Sequence, residues 1–211
     1  MPPAENTRDR TDKHDLILEA AIDVFAAKGF HHARISDIAR KAGVADGTIY
    51  LYFRNKDDVL LCIFEEKMEL LLGGLRVALT GLEDPYDKVR TFARYHFRQV
   101  QDHRTLAEVL QIELRLSSKF LREYRPEKLW EYLGIFASII RDGQERGLFR
   151  AGLDPFVTMW AFFGAMDEIA MQWVLARKHK FSLDAAADQV ADVFIRGMAE
   201  TPPAANAVEA S

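Results

Sequence analysis

The stretch Ile35-Ser36-Asp37-Ile38-Ala39-Arg40-Lys41-Ala42-Gly43-Val44-Ala45-Asp46-Gly47-Thr48-Ile49-Tyr50-Leu51-Tyr52-Phe53 decides how this chain folds. A helix-turn-helix needs a short first helix, a glycine where the turn takes a positive φ, and a small apolar residue seating the second helix on the first. Ile35, Ile38 and Ala39 supply the inner face of the first helix, Gly43 the turn and Val44 the plug. Ile49 and Phe53 supply the inner face of a second helix expected over 46–53. The opposite face presents Asp46, Gly47, Thr48, Tyr50, Leu51 and Tyr52. Small residues there let the backbone approach a DNA major groove, and the hydroxyls can donate to phosphates. Lys56, opening the next helix, adds a cation to a ring of N-terminal amides, the makings of a phosphate clamp. The same spacing also suits a plain αα-hairpin with half-buried tyrosines, so spacing alone leaves both readings open.

On either side of this stretch nearly every segment has helical period, and none shows sustained alternation between turn signals. The chain is expected to be all-α, with about nine helices. The first runs from about 12 to 28, with Ile17, Ala20, Ala21, Val24 and Phe25 on one face and Gly29 as its stop. The next covers 34–42, ahead of Gly43. Asn55 caps a long fourth helix with Asp58 at the reciprocal position, and Gly73-Gly74 is expected to weaken its end. Asp84-Pro85 opens a helix whose stripe is Val89, Phe92, Ala93, His96, Phe97 and Val100. Further helices are expected over about 105–118, from Pro126 to Gly143, from Asp154-Pro155 to Leu175, and from a Ser182 cap through Ile195. The organisation that follows is a helix-turn-helix domain over 1–55, a larger helical domain over 56–200 and a disordered tail over 201–211.

The 211 residues are 49% hydrophobic and 28% charged, which suits a globular fold and rules out wholesale disorder. The single cysteine, Cys62, excludes an internal disulfide and points to a reducing, cytoplasmic setting. The polar opening residues do not read as a signal peptide. The apolar stretch 156–175 is broken by Asp167, Glu168 and Gln172, which marks a buried helix and no membrane partner. A net charge of −4 argues mildly against nucleic acid, yet the acidic surplus lies beyond Lys56. Before that point bases match or slightly exceed acids, so charge permits DNA binding there.

Enzyme signatures are absent: no Glu-x-x-His pair, His-Glu-x-x-His, Gly-x-Ser-x-Gly or glycine-rich phosphate loop occurs. His31-His32 lie in a loop with no cysteine partner and read as surface residues, so no metal site is expected. Three polar residues fall on apolar faces. His96 sits in the stripe given above; Glu113 joins Leu106, Val109 and Leu110, opposite a polar face of Glu108, Gln111, Arg115 and Lys119; Asp167 joins Trp160, Phe163, Gly164 and Met171. Buried, such groups need partners or a wet cavity, so they are either anchors in a ligand pocket or satisfied structural groups. For Asp167 and Glu168 a subunit interface is the expected place. The helices over 154–175 and 182–198 are too apolar to face water, and Trp160, Phe163 and Ile195 are expected to meet a second copy.

Gly29-Phe30, Ile38-Ala39, Ala42-Gly43-Val44, Thr48-Ile49-Tyr50, Tyr52-Phe53, Lys56 and Leu60 together resemble the TetR-family DNA-binding domain across residues 12–60. Two positions depart from it. A hydroxyl residue usual before the second helix is Arg34, and the serine frequent after Gly43-Val44 is Ala45, which shifts capping and phosphate contacts onto Ser36 and Asp46. Within the family the chain is similar to the FadR-type, acyl-CoA-responsive repressors of fatty acid degradation. The residues that carry this are Ala33 to Ser36, Gly43 to Phe53, Leu106 to Val109, Glu113-Leu114-Arg115, Ser118-Lys119-Phe120 and Asp167-Glu168 before Trp173.

That resemblance implies a homodimer whose last two helices form a four-helix bundle with the partner. It implies operator DNA held through Arg34, Ser36, Ala45, Asp46, Gly47, Thr48, Tyr50, Leu51, Tyr52 and Lys56. It implies no cofactor but a small-molecule effector, a long-chain acyl-CoA. Such a ligand needs an apolar tunnel and cations for its phosphates. Phe92, Tyr95, Phe97, Leu110, Leu133, Phe136, Trp160 and Phe163 can line the tunnel, with His96 and Glu113 as polar anchors. Arg115 and Lys119, with Arg94, Arg98 and Arg122, can face the phosphates. Two rivals stand beside this reading: a TetR-type sensor of a drug or other lipophile, and a helical lipid carrier or enzyme that binds no DNA.

Overall fold

Nine α-helices lie among the residues that the computed structural model describes, 7–114 and 124–200. They are α1 Thr7–Lys28, α2 Ile35–Ala42, α3 Asp46–Ile49, α4 Lys56–Leu79, α5 Pro85–Asp102, α6 Arg104–Glu108, α7 Glu127–Glu145, α8 Pro155–Leu175 and α9 Leu183–Met198. A π-helical turn, Val109–Glu113, continues α6. Among the described residues strand pairing is confined to one isolated bridge, Phe149 with Ala199, so the fold is all-α as the periodicity implies. Arg115, Lys119, Arg122, the side chain of Glu113 and the tail over 201–211 lie outside the described residues. No described helix is long and apolar enough to cross a membrane.

Local chemistry explains most of the boundaries. Gly43 sits at φ 68°, and the Val44 amide reaches back to the Ala39 carbonyl at 3.0 Å, the left-handed closure that ends α2. Asn55 Oδ1 accepts from the Asp58 amide at 2.9 Å, which starts α4. Asp154 accepts from the Phe156 amide at 2.7 Å, and Ser182 from the Ala185 amide at 3.2 Å. At α2, by contrast, Asp37 and not Ser36 closes the N-terminus, its carboxylate accepting from the Arg34 amide at 3.2 Å. An ammonium bonded to Asp37, that of Lys28, holds this carboxyl below the usual range.

Four expected boundaries are corrected. α1 starts at Thr7, ahead of residue 12. α3 ends at Ile49, not Phe53, because Leu51 and Tyr52 donate to the Thr48 and Ile49 carbonyls in tighter, three-residue turns. α4 runs unbroken through Gly73-Gly74 to Leu79. There Gly74 makes room for Tyr95: a Cβ would lie 2.1 Å from the Tyr95 hydroxyl, and the tyrosine ring would have to move. Finally, the helix expected over 105–118 becomes π-helical from Val109, and the added residue turns Gln111 inward, 8% exposed, off the expected polar face.

The described helices form two compact units. The first comprises Met1–Leu70 with His103–Pro126, the second Leu71–Asp102 with Glu127–Ser211. In the first, α1 packs on α2, on α6 and on the π turn, and α2 packs on α3. Ile17, Phe25, Ile38, Ile49 and Leu60 are fully buried at its centre. In the second, α5 packs along α9 and α7 against α8. Phe92 is central, with ring centroids 4.9 Å from Tyr132, 5.3 Å from Phe136 and 5.9 Å from Phe162.

Candidate functional site

The first unit presents one face built by α2, the turn and α3. Ile38, Ala39, Ile49 and Phe53 are buried, which leaves Arg34, Ser36, Ala45, Asp46 and Gly47 exposed. Tyr50 is 59% and Leu51 72% exposed, a high value for an apolar side chain beside a short helix. Thr48 and Tyr52 are half-buried, and Tyr52 lies 6.0 Å from the His14 ring. Most of the residues expected to meet DNA are thus solvent-exposed along α2, the turn and the segment from α3 onward, while Thr48 and Tyr52 are half-buried. Part of the positive charge is used internally: Lys28 and Arg40 both pair with Asp37, and Lys41 with Asp23 at 2.9 Å. Arg34 and Arg54 are exposed and form no ion pair among the described residues.

Lys56 is the exception on that face. Its ammonium turns inward and donates to the carbonyls of Phe30, His31 (3.2 Å) and Ala33 (3.1 Å), with Nζ 4.4 Å from the Phe30 ring centre. Its three protons are therefore taken by the loop between α1 and α2, and burial lowers its pKa from the ordinary lysine value. In this geometry Lys56 staples the loop and does not present a phosphate clamp. Sequence spacing could not show this, because the acceptors lie 23–26 residues away.

The polar group expected in the second unit is where the stripe put it. His96 is buried, and its Nδ1 lies 2.9 Å from the Tyr132 hydroxyl. With Tyr132 donating, Nε2 carries the proton, and this buried atom has no partner among the described residues. Desolvation depresses the imidazole to about 4. Around it stand Phe97 at 5.6 Å and Phe163 at 6.5 Å between ring centres. From Phe163 the rings continue to Trp160 at 6.0 Å and to Trp130 at 5.5 Å, which is 47% exposed. Phe92, Phe97, Leu133 and Phe136 are fully buried core residues, and Tyr95 is half-buried against Gly74. Leu110 is half-buried in the first unit. Tyr132 and Gln111 were missed by sequence reasoning. Tyr132 lies on the stripe that holds Phe136, so helical spacing could have flagged its burial, though not its partner.

One outer face of α8 and α9 is apolar. Ala165, Ile169, Phe181, Ala186, Gln189, Val190, Val193 and Phe194 line a shallow groove, and Val193 is 66% exposed. Ile195, expected on this face, is fully buried within its own unit instead. The helical period places it opposite Val193. Asp167 is half-buried and Glu168 is exposed.

A helix-turn-helix in the first unit, beside a helical second unit built around a buried imidazole, is the architecture of a bacterial transcriptional regulator. Residues 17–63 match the bacterial regulatory proteins of the tetR family, and residues 64–197 the C-terminal region of YsiA-like proteins. The chain belongs to the TetR family of bacterial regulatory proteins. It is 35% identical to the fatty acid metabolism regulator protein of Bacillus subtilis over 191 residues, 90% of this chain and 98% of that protein. Solved structures similar to it include two fatty acid regulators. The fatty acid degradation regulator FadR of Bacillus halodurans has a TM-score of 0.82 at 38% identity, covering 88% of this chain and 95% of that one. The transcriptional regulator FadR of Bacillus subtilis, in complex with stearoyl-CoA, has a TM-score of 0.81 at 36% identity, covering 87% and 98%.

Proposed function

We propose that this protein is a cytoplasmic homodimeric repressor of fatty acid metabolism genes, released from its operator by a long-chain acyl-CoA. The observation that carries the reading is the reach of the likeness: 36% identity and a TM-score of 0.81 to a stearoyl-CoA complex extend over 87% of the chain, effector unit included. The second unit supports it. A series of rings leads from exposed Trp130 to buried His96, whose Nε2–H can donate to the thioester carbonyl. That bond would relieve a buried donor whose isolation costs on the order of 1–3 kcal/mol. The apolar groove on α8 and α9 suits isologous packing against a second copy.

In this mechanism Arg34, Ser36, Thr48, Tyr50 and Tyr52 contact phosphates, while Ala45, Asp46, Gly47 and Leu51 approach the base edges. The acyl-CoA prefers a conformation in which the two such faces no longer match half-sites one DNA turn apart. Within the first unit, α6 and the π turn touch α1, and α1 carries α2, a route by which movement of that segment reaches the DNA face.

Operator gel shifts test the effector assignment. Stearoyl-CoA should release the operator at far lower concentration than stearic acid or coenzyme A, because only the thioester offers both chain and phosphates. Equal release by acid and thioester would reassign the ligand to a lipophile without phosphate.

Two substitutions separate contact from support on the DNA face. Tyr50→Ala should weaken operator binding by roughly 1–3 kcal/mol with the melting temperature unchanged, since its ring packs little. Lys56→Ala should lower the melting temperature and leave the salt dependence of operator binding near that of the parent. A reduced salt slope with unaltered stability would return Lys56 to the phosphate-contact role.

A further inference from the structure

α1 and α4 bring together three ligand-type side chains that lie far apart in sequence. Cys62 and Glu66 stand one turn apart on α4, with Cys62 Sγ 3.5 Å from Glu66 Oε1. Across from them on α1, His14 places Nε2 3.7 Å from Cys62 Sγ and Nδ1 3.5 Å from Glu66 Oε1. With one imidazole nitrogen counted, the three ligand atoms lie within 4.8 Å of one another. Zinc bonds of about 2.0–2.3 Å put neighbouring ligand atoms of a tetrahedron roughly 3.3–3.8 Å apart, so a small turn of the imidazole would suffice. All three residues are half-buried, which leaves a fourth position open to water.

We propose that His14, Cys62 and Glu66 bind one divalent cation of the zinc type, clamping α1 to α4. Thiolate, imidazole and carboxylate together select Zn2+ over Mg2+ or Ca2+. The surroundings favour a cation: the carboxylates of Glu66, Asp58 and Glu65 all act on the Cys62 sulfur. A bound metal takes up the thiolate and balances these acidic groups at once. The clamp has a consequence for the DNA face, because the His14 ring packs 5.2 Å from Phe53 and 6.0 Å from Tyr52. Fixing His14 as a ligand would fix the support under the residues that follow α3.

Cobalt titration of the reduced full-length protein tests the site. One equivalent of Co2+ should bind and give a thiolate-to-cobalt charge-transfer band in the near ultraviolet, which Zn2+ then abolishes. Cys62 is the only cysteine, so the band reports this site and not the surface histidines. Cys62→Ser should lose the band, and Glu66→Gln, a substitution of matched shape, should weaken binding by at least about tenfold, the loss that even outer-shell changes cause. Zn2+ should raise the melting temperature of the parent and not of Cys62→Ser. Absence of a band at one equivalent, or cobalt affinity unchanged in both variants, would overturn the site and leave the trio as an ordinary hydrogen-bonded contact.

Discussion

Lengthening the acyl chain of the effector should strengthen binding by about 0.8 kcal/mol, or about fourfold in affinity, for every methylene buried. Between octanoyl- and palmitoyl-CoA the difference should approach about 6 kcal/mol, roughly four orders of magnitude, before levelling off where the channel ends. The slope follows from what the second unit offers. In the proposed mechanism the chain runs along the rings of Trp130, Trp160 and Phe163, which can only exclude water from it, whereas His96 would offer one polar contact that does not depend on chain length. The coenzyme end therefore sets a constant contribution and the chain a graded one. Calorimetry with a series of thioesters reads both, the first as an intercept and the second as a slope. A flat response would remove the acyl channel from the proposed mechanism and leave the family assignment intact.

Acidification should destabilise the parent protein through His96 by about 3 kcal/mol more than a variant lacking the imidazole. Burial holds the folded imidazole at about 4, against an ordinary value of 6.5. Between those values the unfolded chain binds the proton and the folded chain does not. Stability is thus complete above pH 6.5, falls as pH drops through the window, and stops falling below about 4. Urea unfolding of the parent and of His96→Gln across that window isolates the contribution. Loss of the Tyr132 contact shifts the variant by a constant, and general carboxylate titration is common to both, so only the difference in slope counts. Parallel curves would mean that His96 is hydrated in the folded protein and no anchor for a ligand.

Elements whose boundaries rest on neighbours in sequence were legible. Gly43 and Val44 could be read as a turn because a left-handed residue and its 3.0 Å return bond involve only the preceding helical turn. The same holds for Asn55, Asp154 and Ser182, each bonded to an amide two or three residues on. The burial of His96 followed from its place in a stripe of period 3.6. Errors arose where a distant group intervened. Gly73-Gly74 reads as a helix breaker until Tyr95 is seen to press against it, and Gln111 reads as polar surface until a π turn rotates it inward.

The sequence by itself determined that this chain is all-helical, that a helix-turn-helix centres on Gly43, and that an imidazole lies in the apolar stripe of α5. Those properties rest on free energies between residues within about four or five positions, which spacing records directly. Only the tertiary structure decided that Lys56 holds a loop, that His96 meets Tyr132, that Ile195 faces its own core, and that His14 meets Cys62 and Glu66. These pairings span 23, 36 and 48 residues where they join two side chains or a side chain and a carbonyl. A long polar side chain takes the strongest acceptors the fold brings within reach, and which ones those are is settled by how helices pack, not by the residues beside it in the chain.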